Sequence, residues 1–416
     1  MMANEENQGH NNPAIPGMDV EGEKLASELT ADDTIRVSKH NTDKAEIDGS
    51  RAERKTSYKV EDFAPLTGRE EDWRFTPLKR LAGLHTDALT GTAPVIEVEA
   101  PAGVTVETVG REDSRIGSAG VPEDRVAANA WSNFSEATVI TVPAEAELEG
   151  HIEVAIKGTE MAPAAQHILV ETKPFSKAVV VLRHTGSAVV SQNVEFKVGD
   201  SSSLTVITLQ QWEDDAVHAS AQYAALGRDA KFKHVNISMG GKTVRVTPST
   251  RFSAPGAETE MYGLYFVDAG QHIENRLFVA HTVPNCKSRV TYKGALQGRG
   301  AHAVWVGDVL IGKEAEGTDT YELNRNLILE DGPRADSVPN LEIETGLIAG
   351  AGHASTTGQL DEDHLWYLQA RGIPAEEARR LVVRGFLNEI IQQIGIDSLE
   401  EQLMDALEAE LAISNN

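Results

Sequence analysis

Turn-forming residues recur along the middle of this chain at a nearly constant spacing, which strongly restricts the fold. The turn signals begin at Gly199, Gly227, Pro255 and Pro284, about 28 residues apart, and are followed by Gly298 at half that step and Gly332 34 residues later. Short runs rich in β-branched residues lie between turns, at 138–142, 178–182, 204–209, 277–280 and 304–310. A nearly fixed step of about 28 residues with several short strands is typical of a β-solenoid, whose coils are stable only when stacked. Periodicity alone leaves a β-sandwich open, since its strands also follow at regular spacing.

The segments on either side of this repeat have a different character, and together they predict four parts. Residues 1–57 contain no Phe, Trp or Tyr, so we expect a disordered, polar and acidic tail. Residues 58–135 predict a small mixed helical module, and residues 136–347 the β core. In residues 348–416 apolar side chains recur every fourth position, and this pattern predicts a C-terminal helical domain.

Charge and cysteine content exclude several classes of function. Asp and Glu total 64 against 38 Lys and Arg, which gives a formal net charge of −26. Such a surface repels nucleic acid and anionic lipid, and it favours a basic protein partner. The single cysteine, Cys286, cannot form a disulfide within the chain, and we expect a cytoplasmic protein. We find no phosphate-binding loop with Lys-Ser/Thr and no G-x-S-x-G motif, which argues against an ATPase or a serine hydrolase.

A few side chains could still bind metal. Cys286 closely follows His281 in a turn between strands, although a lone Cys is more often a small buried apolar residue. His272 and His302 are weaker candidates, for which a core or solvated role is the alternative. His353 is surrounded by small residues that permit close approach, and its alternative is a polar residue in a connector.

Two carboxylates suggest a different class of function. Glu342 and Glu344 are two apart on a predicted strand and would share a face. Paired carboxylates serve acid–base chemistry on sugars in some solenoid enzymes, although such pairs are more often a solvated strand face.

An ordered series of motifs resembles the SufB/SufD family of iron–sulfur cluster assembly scaffold proteins. The series spans roughly residues 130–410 and includes Asn324-Arg325-Asn326-Leu327, Pro339-Asn340-Leu341-Glu342, Gly352-His353-Ala354-Ser355-Thr356 and Arg371-Gly372-Ile373-Pro374. The resemblance implies a mainly β fold, a right-handed parallel β-helix with a small N-terminal module and a C-terminal α-helical domain. This fold excludes the β-sandwich that periodicity alone left open.

The resemblance also implies a non-enzymatic role and two partners. SufB would pack against the β-helix, and SufC, an ATP-binding-cassette ATPase, would dock on the C-terminal helices that Phe386 and Ile390 support. Iron or a cluster would be held transiently and shared with SufB, and the isolated chain could form a homodimer. The alternatives are a purely structural partner of SufB and a β-helix carbohydrate-active enzyme. A short motif at residues 72–78 and the shortage of cysteines favour the SufD branch.

One position departs from the family pattern. The resemblance implies that His353 is the iron or cluster ligand at the SufB interface, and relatives often have a cysteine two residues before it. Ala351 occupies that position here, so a thiolate is lost and the histidine remains. Cys286 falls where some relatives also have cysteine, which makes it a second candidate ligand.

Overall fold

The computed structural model describes residues 53–86 and 89–413, with the side chains of 412 and 413 left out. Three short 3-10 helices begin this part: Val60–Asp62, Glu71–Trp73 and Leu78–Leu81. The strands are β1 (Val95–Glu99), β2 (Thr105–Gly110), β3 (Glu136–Val142), β4 (Ile152–Thr172), β5 (Lys177–Val198), β6 (Ser203–Trp212), β7 (Val217–Leu226), β8 (Lys231–Ser238), β9 (Thr243–Phe252), β10 (Glu258–Val267), β11 (His272–His281), β12 (Lys287–Leu296), β13 (His302–Ile311), β14 (Asp319–Ile328), β15 (Arg334–Ile343) and β16 (Gly350–Gln359). The α-helices are α1 (Arg125–Asn133), α2 (Glu362–Gln369), α3 (Ala375–Ile391) and α4 (Asp397–Ile413).

The strands from β4 onward form a parallel β-helix with two facing sheets. The long strand β5 belongs to both sheets, since Lys177–Gly186 pairs with β6 and Val189–Val198 pairs with β7. From β5 the even sheet continues through β6, β8, β10, β12, β14 and β16, and the odd sheet through β7, β9, β11, β13 and β15. Every pair in these two ladders is parallel, whereas a sandwich of this kind is antiparallel. The predicted parallel β-helix is confirmed.

The length of one coil accounts for the spacing of the turns. Val189 pairs with Val217 in the next coil, and Thr243 pairs with His272, so that one step of the ladder equals one turn-to-turn interval. The coils lengthen near the end, where His302 pairs with Arg334. Equivalent turns use backbone with positive φ at Asp229, Gly256 and Asn285, a conformation that Gly, Asn and Asp adopt most readily. The same turn geometry therefore returns once in each coil.

The interior of the β-helix is filled by alternate residues of each strand. One large apolar cluster runs along it and includes Val206, Val246 and Trp305. Two glycine–tyrosine pairs interlock within it: Gly263 of β10 is paired with Tyr292 of β12, and Tyr265 with Gly294. A Cβ on Gly263 would lie 2.1 Å from the Tyr292 ring, and one on Gly294 would lie 1.9 Å from the Tyr265 ring. Each ring thus occupies the space that the glycine of the neighbouring coil leaves empty.

The N-terminal part packs across the outer face of the odd sheet. Trp73 is 2% exposed, and the Arg245 guanidinium of β9 stacks over its ring, 4.0 Å from the centroid. Thr76 donates a hydrogen bond of 2.6 Å to buried Glu274 of β11, which also forms an ion pair with Arg245. Burial opposes ionisation of Glu274, but Arg245, His272 and Arg276 outweigh burial and hold its pKa below the ordinary value. These contacts attach the N-terminal module firmly to the coils.

The predicted N-terminal tail ends at residue 57, and the structure describes only its last five residues. Residues 1–52 of the predicted tail lie outside the described residues. Arg54 forms an ion pair with Asp72, and the Ser57 backbone N–H donates a hydrogen bond to the Pro122 carbonyl at 3.0 Å. Residues 53–57 therefore contact the domain that follows them.

The C-terminal helices cover the outer face of the even sheet. Val383, Leu387 and Ile391 of α3 are buried in one cluster with Ile237 of β8 and Phe266 of β10. Among the described residues, none of the α-helices has the length and the hydrophobicity of a membrane span. The helices thus shield a sheet face that would otherwise expose apolar side chains to water.

Candidate functional site

The last coil of the β-helix has nothing stacked on it within the described residues. β15 and β16 are the end strands of the two ladders, so each has one edge without a paired strand in this part of the chain. The apolar side chains of Ile343 and Leu347 are exposed beside this edge. We call this end, formed by β15 and β16, the open end.

His353 lies on the inward-facing side of β16 at the open end. Ala351 packs against the interior cluster, and Thr357 accepts a hydrogen bond of 3.1 Å from the interior side chain of Asn326. Since alternate residues of a strand point to one face, His353 shares the inward face with these two residues. It is nevertheless exposed, because no further coil of the described chain covers it.

The position of His353 differs from the sequence expectation in one respect. β16 carries the β-helix to Gln359, beyond residue 347, where the sequence placed the end of the β core. His353 therefore lies on a strand and not in a connector. The run of Gly, Ala, Ser and Thr in β16 has little strand propensity or hydrophobicity of its own. Pairing with β14 holds it in the ladder.

Glu322 is the residue that the sequence analysis missed. It is the register partner of His353 on the preceding coil, and it is 1% exposed in the interior. Neither of its carboxyl oxygens has a hydrogen-bond partner in the described residues, and burial raises its pKa to about 8. A Cβ on Gly307 would lie 2.5 Å from the Trp305 ring and 2.9 Å from Glu322 Oε1, so the carboxyl reaches the opposite sheet beside that ring. A single Glu between Tyr321 and Leu323 carries no signal at the level of sequence.

Hydrogen-bonded polar side chains occupy the interior beside Glu322. Asn326 Nδ2 donates to Asn324 Oδ1 at 3.0 Å and to Ser337 Oγ at 2.9 Å, which links the two sheets. Asn324 Nδ2 donates to the Tyr265 hydroxyl at 2.8 Å, and Tyr265 contacts Asn326 as well. The two asparagines of the Asn324-Arg325-Asn326 motif thus organise the interior just below the open end.

Cys286 and His281 are both buried, and each has a hydrogen-bond partner elsewhere in the chain. Cys286 is 1% exposed, its Sγ lies 3.7 Å from the Ala254 carbonyl oxygen, and burial raises its pKa. His281 hydrogen-bonds through Nε2 to Ser288 Oγ at 2.9 Å, and burial lowers its pKa to about 3. No cluster of three or more His, Cys, Asp or Glu side chains able to hold a metal exists in the described part of the chain.

His272 and His302 lie together on the outer face of the odd sheet. Their Nδ1 atoms are 3.0 Å apart, so one ring donates a hydrogen bond to the other. His272 Nε2 lies 3.2 Å from Glu274, and His302 Nε2 lies 2.7 Å from Asp336. Burial lowers the pKa of His302, although Asp336 acts in the opposite direction. Nothing in the sequence indicates that these two distant histidines are neighbours in adjacent coils.

Phe386 and Ile390 lie between α3 and the even sheet. Ile390 is fully buried, and Phe386 is half-buried at the edge of the same cluster. The Lys293 ammonium of β12 lies 4.9 Å from the centroid of the Phe386 ring and donates a hydrogen bond of 3.0 Å to its carbonyl. Both residues therefore hold α3 on the β-helix. By contrast, Trp366 and Tyr367 of α2 expose most of their side chains to solvent.

The two glutamates proposed for sugar chemistry lie at the C-terminal end of β15. Glu342 is half-buried on β15, whereas Glu344 lies one residue beyond the end of that strand and is exposed. The Glu344 backbone N–H donates a hydrogen bond of 2.8 Å to the Ile311 carbonyl, so the ladder extends just past β15, and the pairing of the two carboxylates stays a prediction.

Fold and site together define a β-helix protein with helix-covered outer faces and an uncovered end. The SufBD core domain of the SUF system for iron–sulfur cluster assembly matches residues 154–386. A Mycobacterium leprae SufBD family protein of iron–sulfur cluster assembly is 50% identical over 368 residues, 86% of this chain and 94% of that protein. A Mycobacterium tuberculosis protein of the same description is 50% identical over 369 residues, 86% of this chain and 93% of that protein. A second one from that organism is 25% identical over 221 residues, 53% of this chain and 26% of that protein. The chain belongs to the SufBD family of iron–sulfur cluster assembly proteins.

Proposed function

We propose that this chain is the SufD subunit of a cytoplasmic SufB–SufC–SufD scaffold on which iron–sulfur clusters are assembled. In this role it is not an enzyme and holds no cluster by itself. Its only cysteine is buried inside a coil, whereas a protein-held cluster ordinarily requires several thiolates. The similarity to two different M. tuberculosis family members, 50% to one and 25% to the other, is consistent with a pair of unlike subunits.

The observation that carries the proposal is the position of His353 at the open end. The outer edges of β15 and β16, which end the ladders of the described chain, can accept further strands, and exposed Ile343 adds apolar surface for a partner such as SufB. The imidazole of His353 on the inward face would then stand inside the joint interface, where it could bind iron beside thiolates of SufB. Ala351 supplies no thiolate from this chain.

The contact with SufC is assigned to the C-terminal helices. Trp366 and Tyr367 on α2 are exposed aromatic side chains, which are enriched in protein interfaces. Phe386 and Ile390 would support this surface from below by holding α3 on the even sheet. ATP hydrolysis by SufC could in this way act on the SufB–SufD pair through the helices.

Purification with SufB and SufC, followed by iron and sulfide analysis, tests the proposal. The isolated chain should be colourless, as monomer or homodimer, and the three-subunit complex should carry iron. His353→Ala should leave assembly and ATP hydrolysis intact but strongly reduce iron in each complex. His364→Ala removes an exposed histidine from α2 instead and should leave the iron content unchanged.

Other results would redirect the assignment. Weaker SufB association with normal iron per complex formed would make His353 an interface residue in a purely structural subunit. Normal assembly with a normal iron load in His353→Ala would refute any role at the joint site. A brown isolated chain with stoichiometric sulfide would contradict the need for SufB.

A further inference from the structure

Glu322 is unusual among the buried carboxylates of this chain. Glu274 is also fully buried, but it has an ion pair with Arg245 and hydrogen bonds from Thr76 and His272. Glu322 has no hydrogen-bond partner at either oxygen in the described residues. Leaving a buried carboxyl without a partner is costly, and an apolar side chain would fill the interior of a coil at lower free energy. A function that uses the carboxyl accounts for its presence.

The geometry places this carboxyl within reach of the open end. Glu322 and His353 are direct register partners on adjacent parallel strands, and such strands lie about 4.8 Å apart. Both side chains project from the same face of the even sheet. Opposite them stands Gly307, where the Trp305 ring and Glu322 Oε1 share the space that the missing side chain leaves. Only the last coil, which contains His353, separates Glu322 from the solvent at the open end.

We propose that Glu322 and His353 together form a divalent-cation site, in which a carboxylate oxygen of Glu322 and an imidazole nitrogen of His353 bind the same Fe²⁺. The inference extends the proposed function, because it assigns this chain two ligands at the joint site instead of one. An oxygen and a nitrogen ligand suit a divalent iron ion and leave its other positions to the partner subunit or water. Binding of the cation would also give a partner to the carboxyl oxygens of Glu322, which have none in the described residues.

The register offers a matched control for this assignment. Tyr321 and Leu323 flank Glu322 but point to the outer face, so they cannot approach His353 from the interior. Glu314, in the loop before β14, is exposed, so Glu314→Gln makes the same substitution without touching the interior. Glu322→Gln keeps the shape and the polarity of the buried side chain while removing the ligating carboxylate.

Titration of the purified full-length chain with Co²⁺, followed by its visible absorption, tests the pair without SufB, SufC or a cluster. Wild type and Glu314→Gln should show the same Co²⁺ affinity, and Glu322→Gln and His353→Ala should each bind at least tenfold more weakly. Far-ultraviolet circular dichroism confirms that each variant is folded. If folding of Glu322→Gln fails, Glu322→Met provides the same test with an apolar side chain.

The outcomes separate this inference from the proposed function. Loss of Co²⁺ affinity in His353→Ala but not in Glu322→Gln would overturn the assignment of Glu322 and leave His353 as a ligand. Absence of Co²⁺ binding by the wild-type chain would overturn the two-ligand site. Iron content of the three-subunit complex carrying His353→Ala would then still decide the proposed function independently.

Discussion

The buried imidazole of His234 should make the free energy of unfolding depend on pH, and this dependence can be measured. Its ring is 1% exposed on β8 and stacks against Phe232, with ring centroids 6.1 Å apart. Its Nε2 is 3.4 Å from Thr208 Oγ1, and its Nδ1 has no hydrogen-bond partner in the described residues. Burial lowers its pKa to about 4. The imidazole is therefore neutral in the folded protein and charges readily only after unfolding, near pH 6.5.

The lowered pKa fixes the sign and the size of the pH effect. The unfolded chain binds a proton at His234 as the pH falls below about 6.5, while the folded chain does not until about pH 4. The contribution of this residue to stability is complete above pH 6.5 and declines as the pH falls toward 4. Between pH 7.5 and pH 5.5 the loss is about 1.4 kcal/mol. Stopping at pH 5.5 keeps the protein above its isoelectric point of about 4.9.

Urea unfolding of wild type and His234→Phe at pH 7.5 and pH 5.5 measures this loss. The change in packing caused by the new ring is the same at both pH values, so it cancels in the difference between them. The other interior histidines contribute equally to wild type and variant, so their effect cancels as well. The variant should therefore lose about 1.4 kcal/mol less than wild type on acidification. His364→Gln, which removes an exposed histidine on α2, should behave as wild type. Equal losses in wild type and His234→Phe would refute the neutral buried imidazole.

Four further predictions concern other parts of the chain. Deleting residues 1–52, which retains the contact of Arg54, should shift the melting temperature by less than about 2 °C, and a larger drop by calorimetry would contradict it. Trp73→Ala should lower the free energy of unfolding in urea by about 3–5 kcal/mol, and a loss under about 1 kcal/mol would show a loosely attached module. Ile390→Asp should weaken SufC capture in a pull-down while SufB pairing persists, since an unpaired carboxylate cannot stay under α3. Cys286→Ala should leave iron per complex unchanged, and a fall would make the thiol a ligand.

The coil architecture was predictable because its turns demand particular residues. Positive φ at Asp229, Gly256 and Asn285 restricts the residue type at the same place in successive coils. The result is a periodic signal that survives without any alignment. The end of the β-helix has no comparable signal, because β16 contains mostly small and polar residues and owes its strand conformation to pairing. Local sequence cannot report a conformation that a neighbouring strand imposes.

The candidate site was predictable only where a motif existed. His353 was found through the resemblance, and the structure places it on the inward face of the last coil. Glu322 escaped notice because its meaning depends on burial and on register with a residue of the following coil. The contact between His272 and His302 depends in the same way on the stacking of coils. Contacts between residues of adjacent coils can be predicted only when the number of residues in each coil is known.

The interlocked glycine–tyrosine pairs determine which coils can be neighbours. β10 carries its ring two residues after its glycine, and β12 carries them in the reverse order, so each ring lies opposite the glycine of the other strand. A duplicated β10 coil would stack Tyr265 on a second copy of itself, and a duplicated β12 coil would do the same with Tyr292. Many repeat proteins can gain or lose a unit through nearest-neighbour contacts alone. At β10 and β12 the coils of this β-helix therefore have a fixed order.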